Sequence, residues 1–244
     1  MMVIQISPSL LEGYRQSLEG LYGMNYEKLR DYITRAYKIN RYSSRGWAYH
    51  KMIEDGPERY RQLKPVKGKV KTFYQIEDWR VKKTPWTEDF NPVWSFSEEA
   101  VEPIHYLRET YSQGEPEVWA DWYTRSHGYE IRVRMRLDML DGLTIHEFKT
   151  GKSKKHFKEY FPSVQWRLNL LAAGDATKVI YHHVQLGSKN NWARLESIPL
   201  DRSLFSESDV QAMIDGLILW ILDPGNEDLL ERLSKKGNTS PFDF

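Results

Sequence analysis

The stretch YEIRVRMRLDML, residues 129–140, constrains this chain more than any other. Tyr129, Ile131, Val133, Met135, Leu137 and Met139 recur at every second position, so one face of a strand belongs to a core. Glu130, Arg132, Arg134, Arg136 and Asp138 line the opposite face. The strand runs into Asp141-Gly142, a preferred pair for a two-residue type I′ turn, and then into LTIHEFKT, residues 143–150. With that turn, Leu140 faces Leu143, Asp138 faces Ile145 and Arg136 faces Glu147. The second strand carries Leu143 and Ile145 on one face and then puts Glu147 and Lys149 there too. The parity gathers Asp138, Glu147 and Lys149 on one surface, the two carboxylates as diagonal neighbours with backbones ~7–8 Å apart. A solvated face would also explain the charges, through surface ion pairs such as Arg136–Glu147 worth ~0–1 kcal/mol. The matched parity, the preceding Asp and the turn favour a functional cluster.

Two carboxylates suit a hard divalent cation, Mg²⁺ or Mn²⁺. On a phosphodiester such a cation polarises a phosphoryl oxygen and helps form hydroxide. Lys149 would add positive charge for the transition state or orient the attacking water. The chain has no cysteine, which excludes disulfides, thiolate catalysis, zinc ribbons and cysteine-held iron–sulfur clusters. Its formal net charge of +1 means that any nucleic-acid surface is a local patch.

Around the hairpin the pattern predicts an α/β protein, with a central mixed sheet flanked by helices and a mainly helical portion over residues 1–65. Ser9 is placed to cap a helix carrying Leu10, Leu11, Tyr14 and Leu18, and Asn25 one carrying Leu29, Tyr32, Ile33 and Tyr37. SSRGWAYHKMIEDG predicts a third helix, ending at Gly56-Pro57. Residues 64–96 read ambiguously, with strand-like pieces around KVKTFYQIEDW. A helix over Glu98–Tyr111 opens a core of residues 98–200. There, strands over 117–124, 129–140 and 143–150 precede a helix from Pro162 to about Ala173, with Pro162 at its first position. Strands over 177–186 and 192–200 follow, then residues 206–244 supply a helix near Glu207–Leu222 and a tail. The tail NTSPFDF could dock a partner, but fraying is the simpler expectation. Nothing divides the chain, so one domain over 1–244 is expected. It has neither a membrane-spanning apolar run nor a signal-peptide pattern, which predicts an intracellular, cytoplasmic location.

Asp138, a hairpin turn, and Glu147-Phe148-Lys149 before a helix resemble the PD-(D/E)xK nuclease superfamily. Gly46-Trp-Ala-Tyr-His50 is similar to the GxxxH helix of the branch containing the RecB nuclease domain and lambda exonuclease, and Gln165 sits where that branch places a helical Gln. Asn169 stands at the usual Tyr of that helix, and Arg136 where many relatives have Gly. Ser7-Pro8-Ser9 is faintly similar to the start of these nucleases. The resemblance covers roughly residues 40–187 and implies a restriction-endonuclease-like core. It implies that His50, Asp138, Glu147 and the Phe148 carbonyl hold the metal, and that Gln165 supports substrate or the site's hydrogen bonds. Lys152, Lys154, Lys155 and Lys158, directly after the E-x-K, and Arg136 would meet DNA phosphates. Arg132 and Arg134 share the Asp138 face and are further candidates. Glu117 reads as a surface carboxylate.

The expected activity is metal-dependent DNA hydrolysis, with an exonuclease of phage or bacterial recombination and repair favoured. The partners expected are DNA ends or single strands, a recombination or single-strand-binding protein, and further copies of the chain. A structure-specific or restriction-like endonuclease is one alternative. A DNA-binding protein with a decayed nuclease fold is the other.

Overall fold

The computed structural model describes residues 2–34, 39–67, 69–83 and 90–234. In chain order, β1 (Val3–Ile6), α1 (Pro8–Glu19), α2 (Tyr26–Ile33) and α3 (Arg41–Asp55) come first. Next are β2 (Arg61–Val66), β3 (Lys69–Glu77), α4 (Trp79–Lys83), β4 (Val93–Ser97) and α5 (Glu98–Thr110). The strands β5 (Glu115–Ser126), β6 (Tyr129–Asp141) and β7 (Thr144–Gly151) lead to α6 (Phe157–Tyr160) and α7 (Gln165–Ala172). Then β8 (Lys178–Leu186), β9 (Ala193–Asp201), α8 (Glu207–Leu222) and α9 (Glu227–Ser234) complete the described chain. Tyr37 and the NTSPFDF tail lie outside the described residues.

The protein is α/β, with a mixed central sheet flanked by helices and a helical amino-terminal region. β6 organises it. One edge of β6 pairs along its length with β5, antiparallel. Its other edge is shared: β1 pairs parallel at Glu130–Val133, and β7 pairs antiparallel only at Met139–Asp141. β7 then continues beside β8, parallel, and β8 beside β9, antiparallel. Between its two partners β6 therefore has an open edge, and that gap becomes the site.

Apolar alternation puts Ile131, Val133, Met135 and Leu137 into one core with Ile145, Val179 and Tyr181, under α1, α7 and α8. The opposite face of β7 and β8 supplies Phe148, Val184 and Leu186 to a second core. That core is closed by α3, α5 and the small antiparallel sheet β2-β3-β4. Among the described residues no helix is long and apolar enough to cross a membrane.

Local signals misplace several boundaries. Ser7, not Ser9, caps α1, its hydroxyl accepting from Leu10 N–H, with Pro8 in the first turn. α3 starts before Ser43 because Asn40 accepts from both Tyr42 and Ser43 N–H at 2.9 Å. Pro162 is not the first residue of a helix: α7 begins at Gln165, since Glu12 of α1 takes the Val164 N–H at 2.8 Å. Residues 1–65 also contain β1 and part of β2. VIQI is too short for a periodic signal, and its strand state comes from pairing with β6.

Beneath the sheet, His146 Nδ1 and His182 Nε2 are 2.9 Å apart, and His182 Nδ1 lies 2.9 Å from Ser197 Oγ. Burial, then the neighbouring His146, push His182 down to about 3. An unfolded imidazole titrates near 6.5, so between these values the unfolded chain binds the additional proton. The stabilisation is complete above pH ~6.5 and drains as pH falls toward ~3. Glu147, raised to about 7, acts in the opposite direction across part of this window. Comparison with His182→Gln isolates the imidazole: between pH ~6.5 and ~4.5 the variant's melting temperature should fall less steeply than the wild type's. Parallel melting curves would remove His182 from the account.

Candidate active site at the gap between two strands

The hairpin keeps the expected parity but not the expected turn. Asp141 pairs with Thr144 and Leu140 with Ile145, so the turn residues are Gly142 and Leu143, with Gly142 at a φ of 55°. Leu143 is exposed in the turn rather than opposite Leu140. Beyond Met139–His146 the ladder ends. On the other edge, the β5 pairing skips Glu117 and Asp138, and Glu117 adopts a φ of 54°, a conformation uncommon outside glycine. Alternation breaks at the same place, because Leu137 and Leu140 both pack on the first core while Met139 packs on the second.

This break corrects the single shared face. Asp138 turns toward α3 and Glu147 toward α7, while Lys149 lies between them and lines the depressions on both sides. The carboxylate of Asp138 bridges the gap by accepting the Phe148 N–H at 2.7 Å. His50 Nε2 of α3 lies 3.2 Å from the same oxygen, and His50 Nδ1 lies 3.3 Å from Glu54. On the α7 side, Glu147 is 1% exposed. It accepts from Asn169 Nδ2 at 2.8 Å, from Gln165 Nε2 at 3.2 Å and from Lys149 Nζ at 3.1 Å. Tertiary folding thus joins α3, the hairpin and α7 around one point.

Glycine at position 46 has a packing cause. A Cβ there would stand 2.8 Å from Thr150 Oγ1 of β7, so its absence lets α3 approach the strand and bring His50, one turn later, to Asp138. Glu54, a further turn along the same helical face, was not singled out from sequence, although His-x-x-x-Glu spacing was its signal. Asn169 fills the position of the expected Tyr and bonds Glu147 directly. For a hydrolytic role of this site, Asn169→Ala is expected to lower catalytic efficiency about 10–100-fold, as loss of an orienting partner does. Steady-state rates compared with unfolding midpoints would check this, and an unchanged rate would show that Asn169 only packs.

The charges are strongly coupled. Burial opposes protonation of His50, but Asp138 and Glu54 outweigh it and lift the imidazole to about 10. Burial likewise opposes ionisation of Asp138, yet His50 and Lys149 hold it near 2. Glu147 is pushed up to about 7 by burial and by the Asp138 carboxylate, against the pull of Lys149. Lys149 is disfavoured as a cation by burial but raised above its ordinary value by Glu147 and Asp138.

His50 Nε2 and Asp138 fit a divalent cation, provided that the metal displaces the imidazole proton favoured by Asp138 and Glu54. His50 Nε2 is buried and makes no well-directed hydrogen bond even to the nearby Asp138 oxygen. The facing carboxylates that raise Glu147 would be relieved by added positive charge. Glu147 itself is engaged on the α7 side, and among the described residues no three His, Asp or Glu side chains are already gathered as a ligand set. A groove of about 620 Å³ opens over Asp138, His50 and Lys149, bordered by Tyr42, Trp47 and Arg136.

The basic residues divide. Lys152 sits over the Tyr42 ring at 3.5 Å, beside the groove. Lys155 lines a second depression on the far side of Lys149, with Gln165 and Tyr160. Lys154 pairs with Glu196 at 3.4 Å, and Lys158 lies exposed on α6. Arg136 borders the groove but pairs with Glu117 at 3.1 Å, not with Glu147. Glu117 is exposed, as expected. Arg132 is held by Asp121 at 2.6 Å, and Arg134 stacks over Trp119.

No protein-family model matches this chain, and no curated protein does. Among solved structures, the crystal structure of SSO0001 is similar over 50% of this chain, with 16% identity and a TM-score of 0.39. The overlap spans 56% of that chain's length.

Proposed function

We propose that this protein is a metal-dependent deoxyribonuclease, acting on DNA ends in recombination or repair. One observation carries the reading: Asp138, the Glu147-Phe148-Lys149 segment, His50 and Gln165 converge on the gap where β6 and β7 part. That convergence is what the resemblance to PD-(D/E)xK nucleases implies. His50 and Asp138 would hold Mg²⁺ or Mn²⁺, with Glu147 beside them. The cation would supply Lewis acidity at a phosphoryl oxygen and lower the pKa of bound water.

The chain's own groups do the rest. Lys149 stays protonated at neutral pH beside Glu147 and offsets negative charge growing on the phosphate. Gln165 and Asn169 fix the Glu147 carboxylate through separate oxygens, so it is oriented before substrate arrives. Glu12 fixes α7 in turn, accepting from Ser163 and Val164 at its amino-terminal end. Arg136 and Lys152 flank the groove where a phosphate chain would enter.

The test is an assay on end-labelled linear, nicked and closed circular DNA with Mg²⁺, Mn²⁺ or EDTA. Metal-dependent loss of linear DNA with the circle spared is expected. Cleavage of the circle would replace the exonuclease with an endonuclease, and binding without cleavage under both metals would overturn the hydrolytic reading.

A further inference from the structure

We infer that the β2–β3 hairpin is a second nucleic-acid grip, holding duplex backbone away from the candidate active site; this rests on the nuclease reading. Between Arg59 and Lys71 the sequence RYRQLKPVKGKVK carries six basic residues and no acidic one, in a chain whose net charge is only +1. Arg59 and Arg61 approach Asp55 and Glu58. Lys64, Lys67, Lys69 and Lys71 have no carboxylate partner among the described residues and are all exposed.

Register sorts the ribbon into two faces. Lys64 pairs with Lys71 and Val66 with Lys69, whereas Leu63 pairs with Thr72 and Pro65 with Val70. Side chains directly opposite share a face, so Lys64, Lys69 and Lys71 form one basic strip, and Leu63, Pro65 and Val70 lie on the other side. Leu63 and Val70 are 64% and 71% exposed, so neither face of this part of the ribbon is covered. Two like charges placed opposite each other cost stability, and a polyanion laid across them removes that cost.

Lysine also protects open sheet edges, and both strands are open here, because β4 pairs β3 only over Phe73–Glu77. The same exposed ammonium groups that discourage edge pairing are the ones a polyanion would meet.

One lysine of the strip contacts the surface that leads to the candidate groove. Lys64 Nζ donates to Gln75 Oε1 at 2.7 Å. Gln75 lines a depression of about 560 Å³ with Trp47 and Trp79, and Trp47 also borders the groove at Asp138. Trp47 thus borders both depressions, and the one nearer the ribbon also carries Lys51 and Arg59 beside Asp55 and Glu77. A two-stranded ribbon fits the major groove of a duplex, and lysines grip phosphates without regard to sequence.

The experiment compares the wild type with Lys64→Gln/Lys69→Gln/Lys71→Gln in EDTA, titrating a long blunt DNA duplex at several salt concentrations. The slope of log affinity against log salt should fall by about 2–3, and affinity near 0.1 M salt by about 10–100-fold. Hydrolysis of a short single-stranded oligonucleotide in Mg²⁺ or Mn²⁺ should be unchanged. A variant with wild-type slope and affinity overturns the inference. So does a wild type that binds no duplex, or that binds polyglutamate as tightly, which would mark a surface for acidic protein. Lysine-dependent duplex binding without any cleavage would sink the nuclease reading and leave the grip standing.

Discussion

Lys149→Ala should lower DNA hydrolysis in saturating Mg²⁺ or Mn²⁺ by at least about 10²–10³-fold, the usual cost of removing a preorganised positive or hydrogen-bonding group from a transition state. Its ammonium lies between Glu147 and the groove over Asp138, where the proposed attack of water on phosphorus would build negative charge. The loss should fall on kcat, because the contact strengthens in the transition state rather than on binding. The fold should survive, since Glu147 keeps Asn169 and Gln165. Glu147→Ala should be comparably inactive, and the double variant little worse than either single one, because the pair acts as a unit. Single-turnover rates with melting curves provide the check. A Lys149→Ala rate within about threefold of the wild type would remove the residue from the chemistry.

Trp166→Ala should cost about 3–5 kcal/mol, the range for deleting a large buried aromatic ring. That is a large part of the ~5–15 kcal/mol that typically separates folded from unfolded states. Trp166 is fully buried, meets Phe205 edge-on at 5.3 Å, and donates its indole N–H to Phe161 O at 3.2 Å. Its helix carries Gln165 and Asn169, so the cavity lies next to the residues that hold Glu147. Urea unfolding would show a lowered midpoint at constant slope. A loss under about 1 kcal/mol would mean that α7 is not anchored through this ring.

Much of the core was legible because strand periodicity is a local property. Ile131, Val133, Met135 and Leu137 announce their burial by spacing alone, and α8 spans the expected Glu207–Leu222. Asp138, Glu147 and Lys149 were legible as a cluster because a short turn joins them. Glu54, Asn169 and Glu12 were not, since each acquires its role from a contact with another element. The basic β2–β3 ribbon was visible as composition but unreadable as a surface, because only pairing register tells which lysines stand side by side.

From residue order alone came the hairpin, its carboxylates and lysine, the helices on either side and the exclusion of thiol chemistry. Only the tertiary structure decided how the site is assembled. β6 gives one edge to both β1 and β7, so the sheet must open between them. Asp138 then faces α3 while Glu147 faces α7, and the two meet across the opening instead of along one face. Alternation of side chains holds only while a ladder is regular. Where the ladder skips Glu117 and Asp138, chain geometry and packing from both sides set the direction of each carboxylate.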